Sequence, residues 1–255
     1  MAGELMPGFD LLGVRVAVTD VEEACATIAS WVRDGRREYV CVAPVSTIVD
    51  CQRDQTYRHV VNGAGMTTPD GMPLVWFGRI AGHSRIARTY GPDVMSALCQ
   101  LSEESGFTHY FFGGTQDSNR LLVEKVRSRF PRLRIVGSMA PPFRESGQHE
   151  DPTIIDRLNQ ADPDVLWVGL GSPKQDYWMH NHRDRLNARV MIGVGAAFDF
   201  LAGTKKQAPS WMRNIGLEWL FRLASEPRRL WKRYLIGNAA FVGYLARDLL
   251  KRSRT

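Results

Sequence analysis

The chain has 255 residues, of which 44% are hydrophobic and 24% charged. That length and balance suit a soluble globular protein with one large domain or two small ones, with enough chain to bury a core. They exclude a disordered chain, a collagen-like repeat and a polytopic membrane protein, and the net charge of +6 leaves an anionic partner in view.

The opening segment MAGELMPGFDLLG has no basic stretch followed by an apolar run, so no secretory leader is expected. Short Val- and Ile-rich runs then alternate with helix-length amphipathic stretches. Strands are predicted over 14–18, 39–43, 109–112, 134–137, 165–169 and 190–193. Helices are predicted over 21–33, 55–62, 92–104, 117–130, 153–160 and 174–186. This alternation predicts an α/β domain across residues 1–204, with a mostly parallel sheet flanked by helices. Cys25, Cys41, Cys51 and Cys99 lie in apolar runs without a C-x-x-C pair. That is the pattern of buried, reduced thiols in a reducing compartment rather than a disulfide framework. A cytoplasmic location is the expectation.

After Gly203 the strand signal ends. Residues 205–255 hold 12 Lys/Arg against 3 Asp/Glu, whereas the first 204 residues hold 21 against 24. Pro209 and Pro227 read as the first residues of two final helices, over 209–225 and from 227 towards 250. The second carries RRLWKRY followed by LIGNAAFVGYLA, an apolar run shorter than the roughly 20 residues that span a bilayer. A helix lying at a membrane interface and a helix docked on the body both fit this pattern. Nucleic acid, anionic lipid and a diphosphate are the candidate partners of the excess charge.

In parallel sheets, ligands sit outside the carboxyl ends of the strands, so the loops after each strand are the places to look for chemistry. Gly113-Gly114-Thr115 follows one strand and opens a helix, where backbone amides and the helix dipole favour an anion. A tight turn needing positive φ explains the same glycines without a ligand. Gly171-Ser172-Pro173-Lys174-Gln175 repeats the arrangement, and Gly193-Val194-Gly195 is a third glycine-rich strand end. Together the three turns suggest a nucleotide or sugar-nucleotide cleft, although neither G-x-G-x-x-G nor G-K-[ST] occurs. Asp70, in Thr67-Thr68-Pro69-Asp70-Gly71, reads either as a helix cap or as a base that accepts a proton from an attacking hydroxyl. Arg88, before the helix at 92, reads as a fork for phosphate oxygens or as a surface ion pair. Two attractive signals are set aside. His180 and His182 face different ways on a helix and are expected at the surface, and Asp162-Pro163-Asp164 lies before a strand, at the end of the sheet away from ligands. No H-E-x-x-H, G-x-S-x-G or zinc-type cluster occurs.

Asp70-Gly71-x-Pro73, Arg88-x-x-Gly91-x-Asp93, Gly171-Ser172-Pro173-Lys174-Gln175 and GVGAAFDFLAG together resemble the WecG/TagA/CpsF glycosyltransferases, glycosyltransferase family 26. The tail APSWMRNIGLEWLFRLASEPRRLWKRY is the most specific piece, and the resemblance runs from about Tyr39 to about Leu250. It implies a Rossmann-like α/β body followed by a helical appendage, over 205–255, that meets the membrane and helps to close the active site. It also implies an inverting enzyme at the cytoplasmic membrane face. Such an enzyme moves a hexosyl group from a UDP-sugar to a saccharide on polyprenyl diphosphate, in surface polysaccharide or teichoic acid synthesis, without a metal or other cofactor. N-acetylmannosamine, its uronic acid and glucuronic acid are the donor sugars of the family.

On this resemblance Asp70 is the candidate general base, with Arg88 and Gln175 as catalytic or donor contacts. The turns contribute Gly113, Gly114, Thr115, Gly171, Lys174 and Gly195 to substrate binding, with Asp199 beyond the last of them. Arg222 and Arg229 reach the diphosphate from the appendage, and either Ser46 or Thr47 serves as the polar residue after the second strand. Assembly of body and appendage across subunits stays open. Two rival readings remain. A nucleotide-dependent oxidoreductase lacks its glycine fingerprint, and a non-catalytic protein that binds nucleotide, nucleic acid or anionic membrane leaves the loops of Asp70, Arg88 and Gln175 without a purpose. No nucleic-acid partner is expected.

Overall fold

Residues 6–142 and 152–252 are described by the computed structural model; the first five residues of the segment read for a leader lie outside them. The first described element is a hairpin, β1 (Gly8–Leu11) and β2 (Val14–Ala17), whose register pairs Leu11 with Val14. The predicted strand at 14–18 therefore forms, but in an antiparallel ribbon apart from the main sheet. The reason is local: Leu12 and Gly13 both have positive φ, 57° and 78°, the geometry that closes a two-residue hairpin.

The main sheet contains β3 (Glu38–Ala43), β4 (Met66–Pro69), β5 (Thr108–Gly113), β6 (Arg134–Met139), β7 (Val165–Gly169) and β8 (Val190–Gly193). Their spatial order is β4-β3-β8-β7-β5-β6, and every pairing is parallel. Helices cover both faces, which is why β5 is buried along its whole length and reads as one apolar run rather than an alternation. The chain steps outward from β3 to β4, crosses to β5 and β6, and returns through β7 and β8. The carboxyl ends of β3, β8 and β7 are thus neighbours from which loops diverge, and a crevice opens there.

The covering helices match the predicted ones where the apolar period is long. They are α1 (Val21–Arg33), α3 (Gln55–Asn62), α5 (Gly91–Ser105), α6 (Gln116–Arg129), α7 (Pro152–Ala161) and the shorter-than-expected α8 (Lys174–His182). Two more, α2 (Val45–Arg53) and α9 (Ala197–Ala202), were not predicted, and α4 (Met72–Ile80) is the helix that the cap reading of Asp70 implies. The first begins Val-Ser-Thr-Ile-Val, a β-branched run that tertiary packing overrides: Ile48 and Val49 are buried against Leu74 and the hairpin.

The C-terminal segment is α10 (Ser210–Asn214), α11 (Glu218–Ser225), α12 (Pro227–Trp231), a π-helical turn (Lys232–Ile236) and α13 (Gly237–Arg252). The single helix expected over 209–225 is broken by Gly216, whose φ is +78° and whose Cβ position lies 3.0 Å from Met72 and 3.2 Å from Trp76. Only a glycine permits both that backbone and that approach to α4. Pro209 sits at the cap position, one residue before the helix, whereas Pro227 opens α12 as expected. The appendage is docked on the body, with Phe241 buried in the same core as Ile48, Leu74 and Phe9. Among the described residues no helix is long and apolar enough to cross a membrane.

One backbone approach shapes the crevice. Gly113 ends β5 with φ +131°, and a Cβ there would lie 2.6 Å from the main chain of Gly169 at the end of β7. Gly114 then donates its N–H to the Gly169 carbonyl at 3.0 Å. Replacing Gly113 by Ala must push the two strand ends apart and strain φ. It is expected to destabilise the protein by about 2 kcal/mol, read as a fall in denaturation midpoint against wild type.

Candidate active site

Five loops leave the carboxyl ends of the sheet around one polar cavity of about 300 Å³. The body supplies Pro44 after β3, Asp70 after β4, Gly114 after β5, the 169–172 turn after β7 and the 194–196 turn after β8. Lys205, Arg222, Arg229 and Arg233 close the cavity from the C-terminal segment. A second cavity of about 390 Å³ lies between α4 and the appendage. It is walled by Trp76, Phe77, Trp219, Phe241, Val242 and Leu245, so it is apolar where the first is cationic. Pro44, Asp70, Arg222 and Arg233 line both.

Asp70 stands on that shared wall because β4 ends one residue before it. Its N–H continues the β3 pairing by donating to the Ala43 carbonyl at 3.1 Å. It does not cap a helix: Gly71 holds the cap position of α4, without a side-chain bond. Oδ1 of Asp70 is buried with no hydrogen-bond partner, and lies 3.8 Å from Arg88 Nη2. Burial pushes the carboxyl up to about 6, against the opposing pull of the Arg88 guanidinium, with Glu218 raising it further and Arg222 and Arg233 lowering it. A carboxylate so placed is charged at neutral pH yet readily takes a proton.

Arg88 is neither a surface ion pair nor aimed at the polar cavity. Its Nε donates to the Asp70 carbonyl at 2.6 Å, its Nη2 donates to Glu218 of the appendage, and its Cζ sits 4.1 Å from the centre of the Tyr90 ring. Gln175, at the start of α8, is buried; its Oε1 accepts from the Gly171 N–H at 3.1 Å and its Nε2 donates to the Ser172 hydroxyl at 3.1 Å. It therefore shapes the 171–175 turn while lining the cavity.

The other residues picked from the sequence divide clearly. Gly114, Gly171, Gly195, Asp199, Arg222 and Arg229 line the polar cavity. Gly113 shapes the turn from behind, Thr115 spends its side chain on the capping box of α6, and Lys174 lies outside the lining of both cavities. Ser46 lines the apolar cavity and accepts from Arg233 at 2.7 and 3.0 Å, whereas Thr47 is buried and hydrogen-bonded to Tyr57. Arg229 pairs with Glu226 at 2.5 Å, and Lys205 bridges Asp199 at 3.0 Å and Glu226 at 3.5 Å. Arg222 and Arg233 form no ion pair among the described residues.

Sequence reading missed Glu218, Tyr90, Lys205 and Arg233. Arg233 lies within RRLWKRY, but its direction depends on the π-helical turn, which rotates it towards Ser46. His182 corrects one expectation. It is buried, its ring stacked 4.8 Å from Trp178, while His180 is part-buried beside the Tyr39 hydroxyl at 3.1 Å. Asp164 does sit at the far end of the sheet, accepting from the Thr108 N–H at 2.8 Å and hydroxyl at 2.9 Å. All four cysteines are free and buried. Among the described residues no group of three or more His, Cys, Asp or Glu is placed to hold a metal ion.

The sequence matches the Glycosyl transferase WecG/TagA/CpsF family over residues 9–255. The chain belongs to that family. Its relatives include an N-acetylglucosaminyldiphosphoundecaprenol N-acetyl-beta-D-mannosaminyltransferase of Bacillus subtilis strain 168, 32% identical over 72% of this chain and 69% of that protein. Proteins of the same name from Bacillus spizizenii W23 and Staphylococcus aureus MRSA252 are 27% and 26% identical, over 73% and 70% of this chain and 70% and 67% of their own lengths. For a WecG/TagA/CpsF glycosyltransferase the chemistry to be explained is glycosyl transfer, and the shared wall at Asp70 is where two substrates could meet.

Carboxyl-carbon NMR should show Asp70 titrating near 6. Because Arg88 opposes the burial effect, Arg88→Ala should move the midpoint upward, and a downward movement would contradict the site as described.

Proposed function

We propose that this glycosyltransferase moves a hexosyl group from a UDP-sugar to a saccharide carried on polyprenyl diphosphate, with inversion at the anomeric carbon. The observation that carries the reading is the position of Asp70 between a cationic cavity and an apolar one. A sugar nucleotide is polar and dianionic at its diphosphate, which suits glycine-rich turns and arginines. A lipid-linked acceptor is amphipathic, which suits a cavity walled by Trp76, Phe77, Trp219 and Phe241 and opened at one end to a carboxylate. The names of the relatives make N-acetylmannosamine the first donor to test and an N-acetylglucosaminyl lipid diphosphate the first acceptor.

In this reading the acceptor hydroxyl donates its proton to Asp70 as its oxygen attacks the anomeric carbon. The bond to the UDP oxygen breaks on the opposite face, and the electron pair leaves with the diphosphate. One carboxylate serves a single displacement, which inverts the anomeric centre. Arg222 and Arg233, held near the cavity before reaction, meet negative charge that grows only as the bond breaks, so they lower the barrier rather than merely tighten the ground state. Fixed guanidinium groups take the part that a divalent cation plays elsewhere, and we propose that transfer needs no metal.

The membrane would hold the acceptor's lipid. Trp211, Leu235, Ile236 and Val242 of the C-terminal segment are exposed, and large exposed apolar groups beside basic ones favour an anionic interface. Each Lys or Arg near such a leaflet contributes on the order of 1 kcal/mol. A peripheral position at the cytoplasmic face follows from this reading.

Asp70→Asn should lower turnover by roughly 10²- to 10⁴-fold while UDP binding stays near wild type; near-normal turnover would remove Asp70 from the chemistry. UDP release should require both one member of a UDP-sugar panel and a short polyprenyl-diphosphate-linked saccharide. EDTA should leave that rate within twofold of untreated enzyme, and its abolition by EDTA would replace the arginine-based reading with a metal-based one.

A further inference from the structure

Glu218 opens α11, and its side chain is only 12% exposed because it turns into the body. There it accepts from Arg88 Nη2 through Oε2, and from the Tyr90 hydroxyl through Oε1 at 3.1 Å. Both donors come from the loop ahead of α5. The Tyr90 ring supports the guanidinium, whose Cζ is 4.1 Å from the ring centre, and Nε is fixed on the Asp70 carbonyl at 2.6 Å. The position of Arg88 is therefore settled except for one choice: which carboxylate takes Nη2.

Glu218 takes it, and Asp70 Oδ1 is left 3.8 Å away without a hydrogen-bond partner. A movement on the order of 1 Å would give Asp70 and Arg88 a hydrogen-bonded ion pair of the strong, charge-assisted kind. In that pair the carboxylate would have its lone pair engaged and its proton affinity lowered. It could neither receive the acceptor hydroxyl nor take its proton well. Asp70 and Arg88 both belong to the body, and the group that opposes their pairing arrives with the appendage.

We infer that Glu218 is a positioning residue: by holding Arg88 Nη2 it keeps the guanidinium off the Asp70 carboxylate, so that docking of the appendage unmasks the base. This rests on the reading of Asp70 as the base. The remaining titratable or charged groups facing Asp70 are Arg222 and Arg233 of the appendage and the Tyr90 and Tyr234 hydroxyls. All of them are retained when Glu218 alone is changed.

The test is a double-mutant cycle on the full chain, read by carboxyl-carbon NMR of Asp70 in wild type, Glu218→Gln, Arg88→Ala and the double variant. Glu218→Gln should lower the Asp70 midpoint from about 6 by roughly one unit or more. It should also lower kcat at least ~10-fold, with the KM for the UDP-sugar unchanged. In the Arg88→Ala background the same substitution should move the midpoint far less, because there is no guanidinium left to divert. Glu218→Asp, which keeps the charge but shortens the reach, should fall between wild type and Glu218→Gln. An unmoved midpoint would reduce Glu218 to a docking contact, and equal movement in both backgrounds would mean direct repulsion; either overturns the inference. If the cycle behaves as expected while kcat stays at wild type, Arg88 is diverted as inferred and it is the reading of Asp70 as base that fails.

Discussion

Arg88 holds three parts of the molecule in one place. Its Nε is on the main chain that follows β4, its face is on Tyr90 ahead of α5, and its Nη2 is on Glu218 of the appendage. The guanidinium is the fixed point around which the appendage is set on the body, and the two cavities take their shapes from that setting. Arginine suits the task because its planar fork presents several donors in fixed directions and stays charged when buried. A lysine could neutralise one carboxylate but could not rest on the ring while bonding both the Asp70 carbonyl and the Glu218 carboxylate.

The same contact explains how a carboxylate is left unsatisfied in a partly buried place. An orphaned acceptor there is costly, and structures retain such groups where the surroundings over-determine them. Asp70 is held by the β3–β4 ladder through its N–H and by Arg88 through its carbonyl, so the side chain has little freedom to find another partner. Next to it the cations divide into two sets. Lys205 and Arg229 are already paired through Asp199 and Glu226 at the rim, whereas Arg222 and Arg233 line the cavity and form no ion pair among the described residues. Positive charge that is already neutralised adds little to a growing anion, and positive charge held in place adds much.

The π-helical turn between α12 and α13 belongs to the same design. A regular helix through 227–252 would carry Arg233 and Tyr234 round to other faces; the extra residue in the turn places both at the cavities, with Arg233 on Ser46. The exposed apolar residues Trp211, Leu235 and Ile236 remain on the outside. One segment thus supplies a wall, two cations and an outer apolar face.

The sequence by itself determined the α/β class, because strands buried on both faces are written as continuous Val- and Ile-rich runs, and helices with a long apolar period declare their bounds. It also pointed to the end of the sheet that carries the candidate site, since Gly113, Gly171 and Gly195 stand in turns after strands, each with the positive φ that favours glycine. The family resemblance, rather than local spacing, picked Asp70 as the candidate base and Arg222 as a diphosphate contact. It did not reveal β4, four residues long, or α2, whose β-branched residues favour a strand until Leu74 and the hairpin pack against them. Nor did it reveal that the 14–18 strand pairs with β1 instead of joining the sheet. Only the tertiary structure decided what Arg88 does, because its partner Glu218 lies 130 positions along the chain and local pattern carries no information about such pairings. It alone separated Ser46 from Thr47, aimed Arg233 inward, and set a cationic cavity against an apolar one with a single carboxylate between them. Composition and period record what a residue prefers, and those preferences leave open which of several acidic groups a buried guanidinium will meet; that is settled by where folding brings the chain together.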